Sequence, residues 1–236
     1  MTNLKQNITL FALLLLFNQH IVAQLTIDKI IDKNLEVTGL NKETKINSFM
    51  IGGSLIQNQF TLPIEMLGIL PNFQRMNMIF NGIAFIKSSD GRTDWELNPM
   101  KDTLIVKKGK PGKANDFYSR WTGGLTEYKE GKISGELLGT DTIEDVAVYK
   151  LKMKKNDKVR IYYIDKLSYL LLRVDDEDPD VQKSTYYSDY KNVNGFLLAH
   201  KLNGFEFGKL VMTMVFNTVK VNTPIDKSLF NVPNKE

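Results

Sequence analysis

Residues 86–99 read IKSSDGRTDWELNP, and the reading of this stretch decides the fold. Asp90, Arg92, Asp94 and Glu96 are either an acid–base cluster or the wet side of a hairpin. Asp90-Gly91 favours the positive backbone angles of a type I′ turn, which would join GIAFIK to TDWELN. Past the turn the side chains alternate, with Thr93, Trp95 and Leu97 on one face and Asp94 and Glu96 on the other. The carboxylates then point away from the tryptophan, into water. A catalytic acid needs burial to raise its pKa, and nothing in this alternation supplies it. Asn98-Pro99 ends the strand, because proline has no N–H for the ladder. The stretch predicts a structural hairpin, not an acid–base site.

Working outward, the same pattern recurs. Period-two alternation predicts strands over 48–56, 60–67, 73–80, 83–87 and 93–97. A later set follows at 133–138, 147–153, 159–164, 169–174, 184–190, 196–202 and 209–221. Asn81-Gly82, Asp90-Gly91, Asn194-Gly195 and Asn203-Gly204 punctuate them as hairpin turns. Strands joined by such short turns are antiparallel and meandering. TIDKIIDKNLEVTG, residues 26–39, is the exception and predicts an amphipathic helix. Thr26 caps it, Asp28 suits its positive end, and Gly39 supplies a left-handed stop. Ile27, Ile30, Ile31 and Leu35 form its apolar stripe, which must lie on something. A second helix is predicted over DFYSRWTGGL, residues 116–125, where Phe117, Trp121 and Leu125 recur at spacing four. It serves either as a lid or as a plain core helix.

Met76, Met78 and Phe80 alternate on one strand, and Leu210, Met212, Met214 and Phe216 on another. Methionine is unbranched and polarizable, so stripes of it suit a surface that receives flexible apolar partners. A many-stranded antiparallel sheet with two short helices has little to cover its apolar face. A curled sheet around an apolar cavity is expected, with Phe85, Trp95 and Tyr163 assigned to its lining.

The 236 residues suit one domain, and a net charge of +4 without a basic block makes nucleic acid an unlikely partner class. The absence of cysteine excludes disulfides, thiolate nucleophiles and cysteine-ligated metals. Residues 1–23 read as a signal peptide, with Lys5, an apolar run from Ile8 to Phe17 and a cut after Ala23. The mature chain would begin near Gln24 and work outside the cytoplasm. Losing His20 with that segment leaves His200 alone, so a histidine metal cluster or a triad lacks its parts. VDDEDPDVQ, 174–182, packs acids densely but lacks the glycine turn and terminal glutamate of a calcium loop. No enzyme, metal or cofactor is expected.

Four segments, in order, resemble the LolA-like outer-membrane lipoprotein carriers and sorting proteins. LPNFQRMNM (70–78) resembles the family's basic-Pro-Asn segment, and SDGRTDWELNP (89–99) its Asp-Gly-Lys/Arg-Thr-x-Trp hairpin. YYIDKLSYLLLRVD (162–175) resembles its aspartate-turn-apolar strand pair. FNTVKVNTPIDKSLFNVP (216–233) resembles its closing stretch. The resemblance implies a mainly β, incomplete antiparallel barrel with a helical lid and an apolar concave face. It implies a periplasmic monomer that binds lipoprotein acyl chains or other lipids, takes them from an inner-membrane release complex and gives them to an outer-membrane acceptor. The same fold in relatives also serves as a sensing or protein-interaction module. Burying acyl chains is worth about 0.8 kcal/mol per CH₂ and needs no catalytic group. The family's basic residue before Pro-Asn, which holds the lid in well-studied carriers, is Leu70 here. Arg75 matches a second arginine of many relatives, but alternation sets it opposite Met76 and Met78.

Overall fold

The computed structural model describes residues 26–43, 45–101, 103–178 and 180–233. The expected signal peptide, 1–23, lies outside the described residues. Thirteen antiparallel strands form one sheet in the order β6-β5-β4-β3-β2-β1-β13-β12-β11-β10-β9-β8-β7. The first arm comprises β1 (Ser48–Gln57), β2 (Phe60–Ile69), β3 (Phe73–Phe80), β4 (Ile83–Ser89), β5 (Thr93–Asn98) and β6 (Thr103–Lys108). The second comprises β7 (Ser134–Ile143), β8 (Val146–Lys155), β9 (Lys158–Asp165), β10 (Leu171–Asp176), β11 (Lys183–Val193), β12 (Phe196–Glu206) and β13 (Lys209–Val221). Each arm is a meander, and the last strand pairs with the first, so β1 and β13 lie mid-sheet while β6 and β7 stay as open edges. The barrel is incomplete.

Helix α1 (Ile27–Thr38) forms as its signals predict. The Thr26 hydroxyl accepts from the Lys29 N–H at 3.4 Å, and Gly39 takes the left-handed φ of 72° that ends it. Its stripe buries Ile30, Ile31 and Leu35. Helix α2 (Lys113–Thr122) ends at Gly123, and a single turn, α3 (Thr126–Lys129), follows. One core cluster joins Ile30 and Ile31 to Ile64 and Met66 of β2 and to Tyr149 and Leu151 of β8. Residues so far apart in the sheet order meet only because the sheet curls around the helices.

Two turns differ from expectation. Asp90-Gly91 is not type I′: only Gly91 has positive φ, at 84°. Asp90 Oδ1 instead accepts from the N–H groups of Arg92 (2.7 Å) and Thr93 (2.6 Å), so the aspartate side chain builds the turn. Asn203-Gly204 is not a turn at all, because β12 runs through it and the chain reverses at Phe207-Gly208. Strand β6, TLIVKK, is not among the predicted strands, although Pro99 does end β5 as expected. Proline starts only a 3₁₀ turn, Pro99–Lys101, after which the ladder resumes.

Gly68 of β2 lies against the Phe49 ring, where an added Cβ would overlap ring carbons. Gly68→Ala is therefore expected to lower stability by about 1–3 kcal/mol through overpacking. Urea unfolding followed by circular dichroism measures it; an unchanged midpoint would show that Phe49 moves aside freely.

Candidate functional site

The face of the sheet that the helices cover is read directly from cross-strand pairs, which share a face. One row runs Phe85–Met78–Ile64–Gly53–Phe216, and another runs Glu96–Lys87–Met76–Met66–Ile51–Val219. A third holds Leu62–Leu55–Met214–Leu202–Tyr187. Apart from Leu210, the predicted stripes thus do meet on one inner face. They meet in two zones of different character.

In the first zone the helices fill the barrel. Trp121 of α2 is 1 % exposed, and its Nε1–H donates to the Ala199 carbonyl at 2.9 Å. Its ring centroid lies 6.0 Å from Phe49, 6.2 Å from Phe117 and 6.3 Å from Phe216. Leu125, on the loop leading into α3, is buried beside them. Phe216 is thereby core, and the expected open cavity is occupied there by the protein's own aromatic rings. Ile27, Ile30, Ile31, Leu35, Phe117, Trp121 and Leu125 all belong to or pack on that core. Of the two roles that the sequence allowed α2, these contacts are those of a core helix.

The second zone is a strip that no helix covers completely. Leu62, Met76, Met78, Met212 and Met214 are half-buried, touching the core on one side. Phe80 and Phe85 extend the strip, half-buried, toward the sheet edge. Phe80 meets Phe60 edge-on at 5.6 Å. The strip is half-buried apolar surface continuous with the core.

Three residues assigned to the lining lie elsewhere. Trp95 is 3 % exposed but on the outer face, opposite Ser88. There the 3₁₀ turn Lys227–Phe230 covers it: Trp95 Nε1–H donates to the Phe230 carbonyl at 2.8 Å, and Phe230 packs on Phe73 at 5.4 Å. Tyr163 lies in a separate outer cluster with Val148 and Ile161, with Arg173 5.1 Å above its ring. Burial, with Asp175 nearby, pushes its phenol up to about 12. Its neighbour Tyr162 faces the core instead. Leu210 lies past a register shift, opposite Phe205, and is 56 % exposed. Chaining the hairpin registers would have found the first error, since Phe85 and Ser88 have opposite parity and Ser88 pairs with Trp95.

The same inversion corrects the opening hairpin. Asp94 is on the inner face and only 6 % exposed. Lys113 of α2 donates to its Oδ2 at 2.6 Å. Burial pushes the Asp94 carboxyl up, but Lys113, Ser89 and Lys107 outweigh it and hold the group below the usual carboxylate range. A lowered native pKa stabilises the fold above the unfolded value, about 3.9, and that gain is lost as pH falls through the folded value. Asp94→Asn is accordingly expected to flatten stability against pH below about 4 and to leave the slope near neutrality unchanged. Denaturant midpoints at several acidic pH values measure it; an unaltered acid limb would show that the pair adds nothing to folding.

Arg75 lies on the outer face, its guanidinium 5.6 Å from the Trp95 ring and bonded to the Leu229 carbonyl. Leu70 packs on the core. His200 is buried, with Nδ1 2.9 Å from the Leu198 carbonyl. Three of the five acids of 174–182 are paired, Asp175 with Arg173 and Asp176 with Arg160, each at 2.6 Å, and Glu177 with Lys152 at 3.8 Å. Among the described residues, no group of three or more His, Asp or Glu is placed to hold a metal ion, and no helix is long and apolar enough to cross a membrane.

No family model matches the chain, and no curated protein matches it in sequence. Solved structures do match it in fold. A LolA superfamily protein from Nitrosomonas europaea aligns over 88 % of this chain and 98 % of its own, at 11 % identity and TM-score 0.56. A DUF1329 family protein from Desulfovibrio piger covers 87 % and 97 % at 11 % identity and TM-score 0.60. A candidate outer membrane lipoprotein-sorting protein domain from Vibrio parahaemolyticus covers 85 % and 97 % at 16 % identity and TM-score 0.54. Identities this low speak for architecture alone, and the architecture is unambiguous: this chain has the LolA-like fold.

Proposed function

We propose that this protein is an exported carrier that binds lipid acyl chains, those of lipoproteins among them, on the strip along Met76, Met78, Met212 and Met214. The carrying observation is that strip. Its thioethers and Leu62 stay half-exposed on the inner face, beyond the part that the aromatic rings around Trp121 fill. Contiguous apolar surface that a folded chain leaves open marks a binding site, and a methionine lining accommodates chains of differing length and unsaturation. Binding needs no catalytic group, so the protein works as a carrier and not as an enzyme. Its place is the periplasm, reached through the N-terminal apolar segment. Release follows when a partner or membrane offers the chain an equal or better home.

The test is to purify the protein from the periplasm of a Gram-negative host and extract it with organic solvent. Mass spectrometry should then find acyl lipid in amounts comparable to protein. A lipid-free extract, with no uptake of added fatty acid, would rule the reading out. The second reading, a protein-interaction or lipid-sensing module, draws on the firm seating of α2. Trp121 holds that helix to β12, as a permanent core would require.

A further inference from the structure

At its outer end the apolar strip runs into a polar cavity. The row that carries Met66 and Met76 continues through Lys87 and Glu96 to Ile105 of β6. The adjacent row runs Gln74–Ser89–Asp94–Lys107. Together with Lys113 they line an open cavity of about 330 Å³ whose apolar lining includes Met76 and Ile105. Met76 therefore belongs both to the strip and to this cavity.

The charges inside do not balance. Lys113 is paired with Asp94 at 2.6 Å and Lys87 with Glu96 at 3.2 Å. Lys107, directly across from Asp94, makes no salt bridge among the described residues. One cation, on an exposed side chain at the rim, is in surplus. The hydrogen bonding is incomplete as well: Asp94 Oδ1 is buried with no well-aligned donor, although the Ser89 hydroxyl lies near enough to help hold the carboxyl ionised. A buried carboxylate oxygen left unpaired is costly, and buried acceptors are nearly always satisfied. The site thus has a place for one more negative charge at Lys107 and for one well-aligned N–H or O–H donor at Asp94 Oδ1.

Resting on the acyl-chain reading above, we propose that this cavity receives the head of a lipid whose chain lies along Met76 and Met78. The head is a phosphodiester that carries its own hydrogen-bond donor. Its anionic oxygens meet Lys107, and its amine or hydroxyl donates to Asp94 Oδ1. Phosphatidylethanolamine and phosphatidylglycerol have both features. Phosphatidylcholine has the phosphate without the donor, and diacylglycerol has the chains and a hydroxyl without the phosphate.

These four lipids with identical acyl chains, mixed in equal amounts in vesicles, form the test. Delipidated protein is incubated with them, re-isolated and analysed for bound lipid by mass spectrometry. The ethanolamine and glycerol lipids should each exceed phosphatidylcholine by about tenfold, the effect of one hydrogen bond to a charged group. Diacylglycerol should load least among the four. Lys107→Gln should bring the ethanolamine and glycerol lipids down to the level of diacylglycerol and phosphatidylcholine below it. Asp94→Leu should erase the preference over phosphatidylcholine, and Asp94→Asn, which keeps an uncharged Oδ1 acceptor and disturbs the buried site less, should reduce it to about threefold; circular dichroism monitors folding of all three variants. Equal loading of all four lipids by the unmodified protein overturns the head-group assignment and leaves the acyl-chain reading standing. Loading of none overturns both.

Discussion

Met78→Asp and Met214→Asp should each reduce acyl-lipid loading by about two hundredfold while leaving the fold in place. Met78 sits between Ile64 and Phe85, and Met214 between Leu55 and Leu202, all on the inner face. Both methionines are half-buried, so an introduced carboxylate can reach water and need not be protonated or expelled. A chain laid on the strip would have to dehydrate that carboxylate or lift away from it. If about four CH₂ groups lose their contact, the loss is about 3 kcal/mol, which is the stated factor. Displacement of a fluorescent fatty acid gives the affinity, and thermal unfolding reports the fold. Loading at the unmodified level by both variants would remove the strip as the site. Unfolding of either would show that the strip is core, as in the interaction-module reading.

Trp121→Ala should be the most destabilising single change discussed, by about 3–5 kcal/mol. The ring fills the space between Phe49, Phe117 and Phe216, and no polar rearrangement can occupy it. The substitution also takes away the donor that the Ala199 carbonyl receives. Domains are stable by only about 5–15 kcal/mol, so the loss is a large share of the whole. Trp121→Phe retains most of the ring volume and forfeits chiefly the hydrogen bond, so a smaller loss of about 1–2 kcal/mol is expected. Urea unfolding read by far-ultraviolet circular dichroism separates the two. A loss below about 1 kcal/mol for the alanine variant would mean that α2 is a detachable flap. The expected result also bears on dynamics. Lifting α2 as a lid would break the same contacts, whereas the strip is open with α2 seated.

Much of the architecture was legible because it rests on local chemistry. Helix α1 follows from Thr26, a period of 3.6 in isoleucine and leucine, and Gly39, all acting within a few residues. Strand β13 appeared with its predicted ends, because apolar side chains recur at every second position from Leu210 to Phe216 and β-branched residues continue the strand to Val221. Strand β3 did likewise. The errors arose where a local signal had more than one outcome. Asp90-Gly91 fits several turns, and the Asp90 carboxylate, by capping two N–H groups, selected one that the dipeptide alone does not specify. Asn203-Gly204 fits a turn or a strand interior, and pairing with β11 and β13 on both sides keeps the chain extended.

Sequence alone determined that this chain is a meandering antiparallel sheet with few helices and that its methionine stripes share a side within each strand. Alternation and turn chemistry are properties of neighbouring residues, so no distant contact is needed to read them. Only the tertiary structure decided which of the two sheet faces is interior. Trp95 and Tyr163 look as apolar as Met78, yet the chain terminus covers the first from outside and Arg173 stacks on the second. The same holds for Asp94, which reads as a wet carboxylate until α2 brings Lys113 against it. A face becomes interior when distant segments fold over it, and the free energy of that covering is spread over residues far apart in the chain.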